Sequence, residues 1–279
     1  GIPTVPAFLT PDSAFGVVSQ HGKAALVCAN NVFAHAEDLD AFTESVKMLL
    51  ADDGMFVFEV SYLGDVVRKT LFDTIYHEHT SYHALGPLVP FFRNLGMQLF
   101  HAERVSTHGG SIRCFVSRAG LRTGTDNLVE LLARESALAD GKVSLDKPID
   151  AVYAAAIVAM GTVIEKRGAD VRAAVAEVKA RGGKVAGFGA PAKLTTLMYA
   201  FGLTAEMIDF VVDDSPHKQG LFTPGTHIPV WPSRMLYERR PELCIVFAWN
   251  FASQIMRTHK AYEEGGGRFL VPLTESETA

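Results

Sequence analysis

Lys184-Val185-Ala186-Gly187-Phe188-Gly189-Ala190-Pro191-Ala192-Lys193 reads as a strand, a tight glycine turn and the opening of a helix. Residues 184–188 form a short apolar run of the kind a buried parallel strand shows, and the helix continues through Ala200. Further strands are expected over 207–212, ending in Asp213-Asp214, over 243–248 and over 268–272. After the second of these, Trp249-Asn250 leads into a helix to about Glu263. Strands alternating with helices predict a small doubly wound parallel sheet.

The first half repeats the theme. Residues 24–29 (Ala-Ala-Leu-Val-Cys-Ala) suit a buried parallel strand, 38–50 a helix and 55–60 the next strand. The short joins again argue for a parallel sheet with crossover helices. Thr10-Pro11-Asp12-Ser13 has the chemistry to cap a short helix, after an apolar run over 2–8 broken by prolines. A helix over 87–95 carries Pro87 near its start and Gly96 past its end. Two strands follow, over 97–105 and 112–118. Residues 128–139 and 149–181 are helical, separated by Asp146-Lys147-Pro148, and read as a connector because they carry no clustered chemistry.

Composition narrows the classes of function. With 279 residues, 48% hydrophobic and 20% charged, the chain has enough apolar material for sizeable cores. A net charge of −5 gives no reason to expect nucleic acid or an anionic membrane as partner. No apolar run approaches the ~20 residues of a membrane span. Gly1-Ile2-Pro3-Thr4 has neither the basic start nor the apolar core of a signal peptide. Cys28, Cys114 and Cys244 each sit in an apolar, strand-like run and read as small buried hydrophobes in a reducing cytoplasm.

Chemistry concentrates in Phe72-Asp73-Thr74-Ile75-Tyr76-His77-Glu78-His79-Thr80-Ser81-Tyr82-His83. Three of the ten histidines and two of the seven tyrosines lie within these twelve residues. Titratable groups of different natural pKa, packed this closely, suit proton transfer near neutral pH; a solvated polar loop is the plainer alternative. A metal bound by His77, Glu78, His79 and His83 is a lesser one, since the spacing is not H-E-x-x-H. His35 follows the carboxyl end of the strand over 24–29, where open parallel sheets bind ligands, although a lone histidine there is more often structural. In the second half, backbone N–H groups of residues 187–193 with Lys193 make a cradle for phosphate. Ala192 replaces the third glycine of a dinucleotide loop. Asp213 stands where a ribose-binding acid belongs. Lys218 and His227, on an irregular polar loop, are candidates to neutralise a phosphate, or are simply solvated.

Taken together, these segments resemble the C-methyltransferases that act on nucleotide-linked keto-deoxysugars. The resemblance is carried by Ala29-Asn30-Asn31-Val32-Phe33-Ala34-His35, Phe58-Glu59-Val60, residues 72–79 and Thr107-His108-Gly109-Gly110-Ser111. In the second half it is carried by residues 187–193, 212–220 and Pro224-Gly225-Thr226-His227-Ile228-Pro229. It implies an α/β fold with a partial methyltransferase-type Rossmann sheet over residues 1–120, its first strands missing. A helical connector over 121–182 would join this to a C-terminal Rossmann-like, nucleotide-sugar-binding domain over 183–279. The family's N-terminal zinc-binding domain is absent, so the chain is expected to be truncated, with an incomplete S-adenosylmethionine pocket.

The implied reaction moves a methyl group from S-adenosylmethionine to C-3 of a 4-keto sugar on a nucleoside diphosphate. The resemblance makes His79 the base, with Tyr76, Glu78 and His35 holding the sugar's oxygens or tuning that base. Asn30 and Asn31 would lie beside the cofactor. Gly187, Gly189, Ala190, Pro191, Lys193, Asp213, Lys218 and His227 would hold the nucleotide end. No resident metal, no membrane or nucleic-acid partner and a monomeric, cytoplasmic state complete the expectation. Two other readings are a nucleotide-sugar-binding fragment without activity and a nicotinamide-dependent oxidoreductase using residues 187–193. One geometric demand follows: Glu78 and His79 serve one pocket only if the segment from Tyr76 to His79 is not a straight strand.

Overall fold

A computed structural model describes residues 1–138 and 150–273. The chain divides into two compact units, Gly1–Val66 with His77–Ala156, and Val67–Tyr76 with Ile157–Ala279. The expected helix break at Asp146-Lys147-Pro148 lies outside the described residues.

The first unit opens with α1 (Pro11–His21), capped by Thr10, whose hydroxyl accepts the Ser13 N–H at 3.2 Å while the Ser13 hydroxyl accepts the Thr10 N–H at 2.9 Å. Strand β1 (Ala24–Asn30), helix α2 (Leu39–Leu49, capped by Asp38) and strand β2 (Leu50–Ser61) form a parallel crossover unit. Helix α3 (Leu63–Lys69) was not expected from the sequence. Then come α4 (Leu85–Asn94), β3 (Met97–Val105), β4 (Ser111–Arg118) and α5 (Asp126–Leu138). The sheet order is β1-β2-β4-β3, with β4 antiparallel to both its neighbours. Aromatic rings fill the core: Phe33 lies 4.6 Å from Phe58 and 6.1 Å from Phe92 between centroids, and all three are fully buried. Such rings carry a large share of the apolar area a core removes from water.

Three expectations change here. Strand β1 is not buried: only Ala29 of its seven residues is, and Leu26 is 52% exposed. Among the described residues it is hydrogen-bonded by β2 alone. Cys28 is exposed, while Cys114 and Cys244 are buried as expected. Helix α5 is also more than a spacer, because Leu128 and Leu131 join the first unit's core.

Helix α6 (Asp150–Ala180) runs into the second unit. There β5 (Val185–Phe188), α7 (Lys193–Ala200), β6 (Phe210–Val212), β7 (Val230–Trp231), α8 (Met235–Arg239), β8 (Leu243–Val246), α9 (Ala252–Thr258), α10 (Lys260–Glu264) and β9 (Arg268–Leu270) alternate. All five strands are parallel, in the order β7-β6-β5-β8-β9. The α/β reading therefore holds, with β5 central and the winding direction reversing between β5 and β8. The helix expected after Asn250 is broken into a 3-10 turn (Trp249–Phe251), α9 and α10, with His259 at the second break.

Candidate functional site

In the first unit the chemistry gathers at the carboxyl end of β1. Asn31 turns the chain with φ of 54° and donates its N–H to the Glu59 carbonyl at 2.8 Å. Asparagine is among the residues that tolerate this left-handed conformation. A 3-10 turn, Phe33–His35, follows, anchored by the fully buried Phe33 ring. The histidine-rich stretch is tied to that turn: the Ala34 carbonyl accepts the Thr80 hydroxyl at 3.0 Å and the Ser81 N–H at 3.4 Å. The chain bends at Tyr76 and turns at His77 and Glu78, so the geometric demand for an irregular segment is met. The His79 ring stands edge-on to His35, 5.1 Å between centroids at 88°, with Tyr82 at 6.2 Å on the His79 ring. His35, His77 and Glu78 are exposed and His79 is half-buried.

His83 has another job. Its ring packs 5.1 Å from Phe33 and its Nε2 lies 3.0 Å from the Ser81 hydroxyl. Burial pushes its pKa down to about 4, so it is a neutral core group at pH 7. Among the described residues no three His, Cys, Asp or Glu side chains come together as a metal site.

Beneath this edge, polar groups cross the sheet. Arg113 bonds Glu59 at 2.9 Å and Glu103 at 2.8 Å, and the three residues sit directly opposite one another on β2, β4 and β3. Such cross-strand pairing of opposite charges fixes register. Asp65, 1% exposed, pairs with Arg104. Glu135, on α5, accepts the N–H groups of Leu85 and Gly86 at 2.6 and 2.9 Å and so caps α4. This cap explains why α4 starts two residues before the sequence-based expectation. Burial pushes the Glu135 carboxyl up, against these two N–H groups and the Tyr62 hydroxyl, and burial likewise raises the Tyr62 phenol.

In the second unit a cavity of about 360 Å³ opens at the carboxyl ends of β5, β6 and β8. Its lining includes Gly189, Pro191, Asp213, Lys218, Phe251 and His259. Doubly wound sheets bind ligands at this switch point. Gly189 has φ of 89°, and a Cβ there would meet Ala248 at 2.5 Å, so the turn needs glycine.

The expected nucleotide-binding residues divide. Gly189, Pro191, Asp213 and Lys218 line the cavity. Gly187 is packed in β5, where a Cβ would strike the Phe247 ring. His227, with φ of 53°, and Ala190 are outside the lining. Asp213 accepts the N–H groups of Ala190 and Ser215 at 2.7 and 2.8 Å and faces the Lys218 ammonium at 3.2 Å. Its carboxylate thus fixes the turn and the loop rather than standing free for a ribose. Lys193 faces the buried Asp73, 3.4 Å away, and lies 4.3 Å from the centre of the Trp249 ring. Burial, opposed by Asp73, lowers its pKa.

Sequence reasoning missed the opposite wall. Phe251, Gln254, Thr258 and His259 all line the cavity from the segment after β8. His259 Nδ1 is 2.9 Å from the Tyr237 hydroxyl, and burial lowers its pKa against the opposing effect of Asp214. The signal was present: Trp249-Asn250-Phe251 follows β8 as Gly189-Ala190-Pro191 follows β5, and both flank the switch point.

Comparison with known proteins adds the following. A family model described as "C-methyltransferase C-terminal domain" matches residues 106–274. C-methyltransferase NovU of Streptomyces niveus is 35% identical over 276 residues, which are 99% of this chain and 63% of NovU. The chain thus spans less than two thirds of that relative. Among solved structures, a SAM-dependent methyltransferase from Anabaena variabilis is 14% identical, covering 39% of this chain and 55% of its own, with a TM-score of 0.31. Magnesium protoporphyrin IX methyltransferase from Synechocystis, with bound SAH, is 18% identical over 35% of this chain and 46% of its own, with a TM-score of 0.28. On the match of its residues 106–274, the chain belongs to the C-methyltransferase family.

Proposed function

We propose that this protein is an S-adenosylmethionine-dependent C-methyltransferase acting on C-3 of a nucleoside-diphosphate-linked 4-keto-deoxysugar. Family membership and the name of the Streptomyces relative support the reaction class. The observation that carries the chemistry is the edge-on approach of His79 to His35 at the end of β1. A C–H beside a ketone is acidic enough for a positioned imidazole to remove, provided the enolate oxygen is held. In this reading His79 takes the C-3 proton. Tyr76, Glu78 and His35 hold the sugar's oxygens or tune that base. The C-3 carbon then forms a bond to the methyl carbon as the methyl–sulfur bond breaks, so positioning supplies much of the rate.

S-adenosylmethionine, when bound, supplies that methyl on a positively charged sulfur. Asn30 and Asn31 would touch it. Both are exposed, at the carboxyl end of a parallel strand, and their amides offer donors and acceptors, a fit to the cofactor's polar groups. The nucleotide end belongs in the cavity of the second unit, with Lys218 as the phosphate-facing cation and Phe251, 57% exposed, beside the base. Residues 1–120 would then carry the transfer chemistry and residues 183–279 the nucleotide.

A second reading, nucleotide-sugar binding without transfer, draws on the cavity's containment within the second unit. The oxidoreductase reading gains nothing from the geometry, because Asp213 is already engaged by three donors. The deciding experiment is methyl transfer to a nucleotide-linked keto-sugar by the wild type and by H79N. Equal transfer by the two would sink the catalytic assignment; transfer by neither leaves the binding reading.

A further inference from the structure

Asp73 belongs to the histidine-rich stretch by sequence but is completely buried in the second unit. Its Oδ2 accepts the Trp249 indole N–H at 2.5 Å and lies 3.4 Å from Lys193 Nζ. Lys193 in turn sits over the Trp249 ring, 4.3 Å from its centroid. Two neighbouring contacts reinforce the attachment: the Thr196 hydroxyl donates to the Ile75 carbonyl at 3.3 Å, and Phe72 packs 5.4 Å from Phe201. The partners stand at the first residue of α7 and in the 3-10 turn after β8, on the two segments that flank the switch point. Pro191 and Phe251, each two residues from Lys193 and Trp249 respectively, line the cavity.

A buried ion pair is a poor way to gain stability, because desolvation offsets most of its attraction. Asp73 Oδ1 is moreover buried with no hydrogen-bond partner among the described residues, a cost that a well-packed apolar residue would not carry. What the arrangement does supply is a fixed position, three residues before Tyr76.

We infer that Asp73, Lys193 and Trp249 are positioning residues: they hold the Tyr76 end of the histidine-rich stretch against the loops that bind the nucleotide. The inference rests on the reading of Tyr76 as a substrate-facing residue given under Proposed function. Lys193 is therefore a partner of Asp73, and Lys218, which faces Asp213 at 3.2 Å, is the lysine that lines the cavity.

The test uses W249F, which removes the N–H donor but keeps an aromatic ring beneath Lys193, and D73N, which removes the charge facing Lys193. Hydrogen exchange of the 279-residue chain, without ligand, should accelerate about tenfold over residues 71–76 in both variants, while the amides of β5, β6 and β8 keep their protection. In a methyl-transferring preparation, kcat should fall about 10–100-fold, as displacement of a substrate-facing group by about 1 Å does, with KM within about threefold. Unchanged exchange over 71–76, or equal acceleration throughout the second unit, overturns the inference. So does an unchanged kcat. If instead Lys218 and Phe251 variants leave nucleoside-diphosphate affinity untouched, the reading of the cavity fails while the exchange result stands.

Discussion

Glu135 accepts the backbone N–H of Leu85 at 2.6 Å, so the first turn of α4 is capped by a residue fifty positions later in the chain. The same carboxylate holds the Gly86 N–H at 2.9 Å. Replacement by alanine strands two helix N–H groups and the Tyr62 hydroxyl in a buried site, and should cost about 2–4 kcal/mol. Because burial raises the Glu135 carboxyl, the folded state binds its proton more tightly than the unfolded state does. That contribution to stability is full below the ordinary glutamate pKa and declines as pH rises toward the folded value. Urea denaturation of wild type and E135Q from pH 4 upward checks this: the wild type should lose stability relative to E135Q as pH increases.

His83 carries the opposite sign. Its folded pKa, about 4, lies below the ordinary histidine value, so the unfolded chain binds the proton more readily. Stability should hold above pH ~6.5 and fall as the solution is acidified toward pH 4, by up to about 3 kcal/mol from this group. In H83F that part of the slope should disappear. An unaltered pH dependence in H83F would mean that His83 is not buried as a neutral ring.

His79 is expected to abstract a proton, and that step can be observed apart from methyl transfer. In D₂O the protein should exchange the C-3 proton of a nucleotide-linked 4-keto-sugar, as read by NMR. H79N should slow this exchange by about 10²–10⁴-fold, the range for loss of a general base. H35N should leave exchange detectable while reducing it, since His35 contacts the His79 ring rather than replacing it. Exchange at the wild-type rate in H79N would reassign the base.

Lys218 and Phe251 line the same cavity, one with charge and one with an exposed ring. K218M should raise the Kd for a nucleoside diphosphate about tenfold, equivalent to about 1.4 kcal/mol. The loss should shrink at high salt, because Lys218 is partly exposed. F251A should weaken binding by about 1–3 kcal/mol if the base stacks on the ring. Isothermal titration at two salt concentrations separates the two effects. Insensitivity of both variants would rule out the cavity as the nucleotide site.

Sequence alone determined the elements whose signal is local. The alternation of strands and helices, the turn after Phe188 and the crowding of His77, Glu78 and His79 all follow from neighbours a few residues apart. Tertiary structure decided everything that depends on which distant segments meet. An apolar run has much the same composition whether it is packed on both faces or left open: β5 is buried along its whole length, whereas in β1 only Ala29 is. Nothing local distinguishes His83, folded into the core against Phe33, from His79, set beside His35. Lys193 has a phosphate-binding context in sequence, yet its partner is Asp73, and the indole that completes the contact lies 176 residues from that aspartate. Periodicity is encoded in neighbouring side chains and is readable from them. Pairing across such separations is set by the packing of whole elements, which leaves no mark within any one of them.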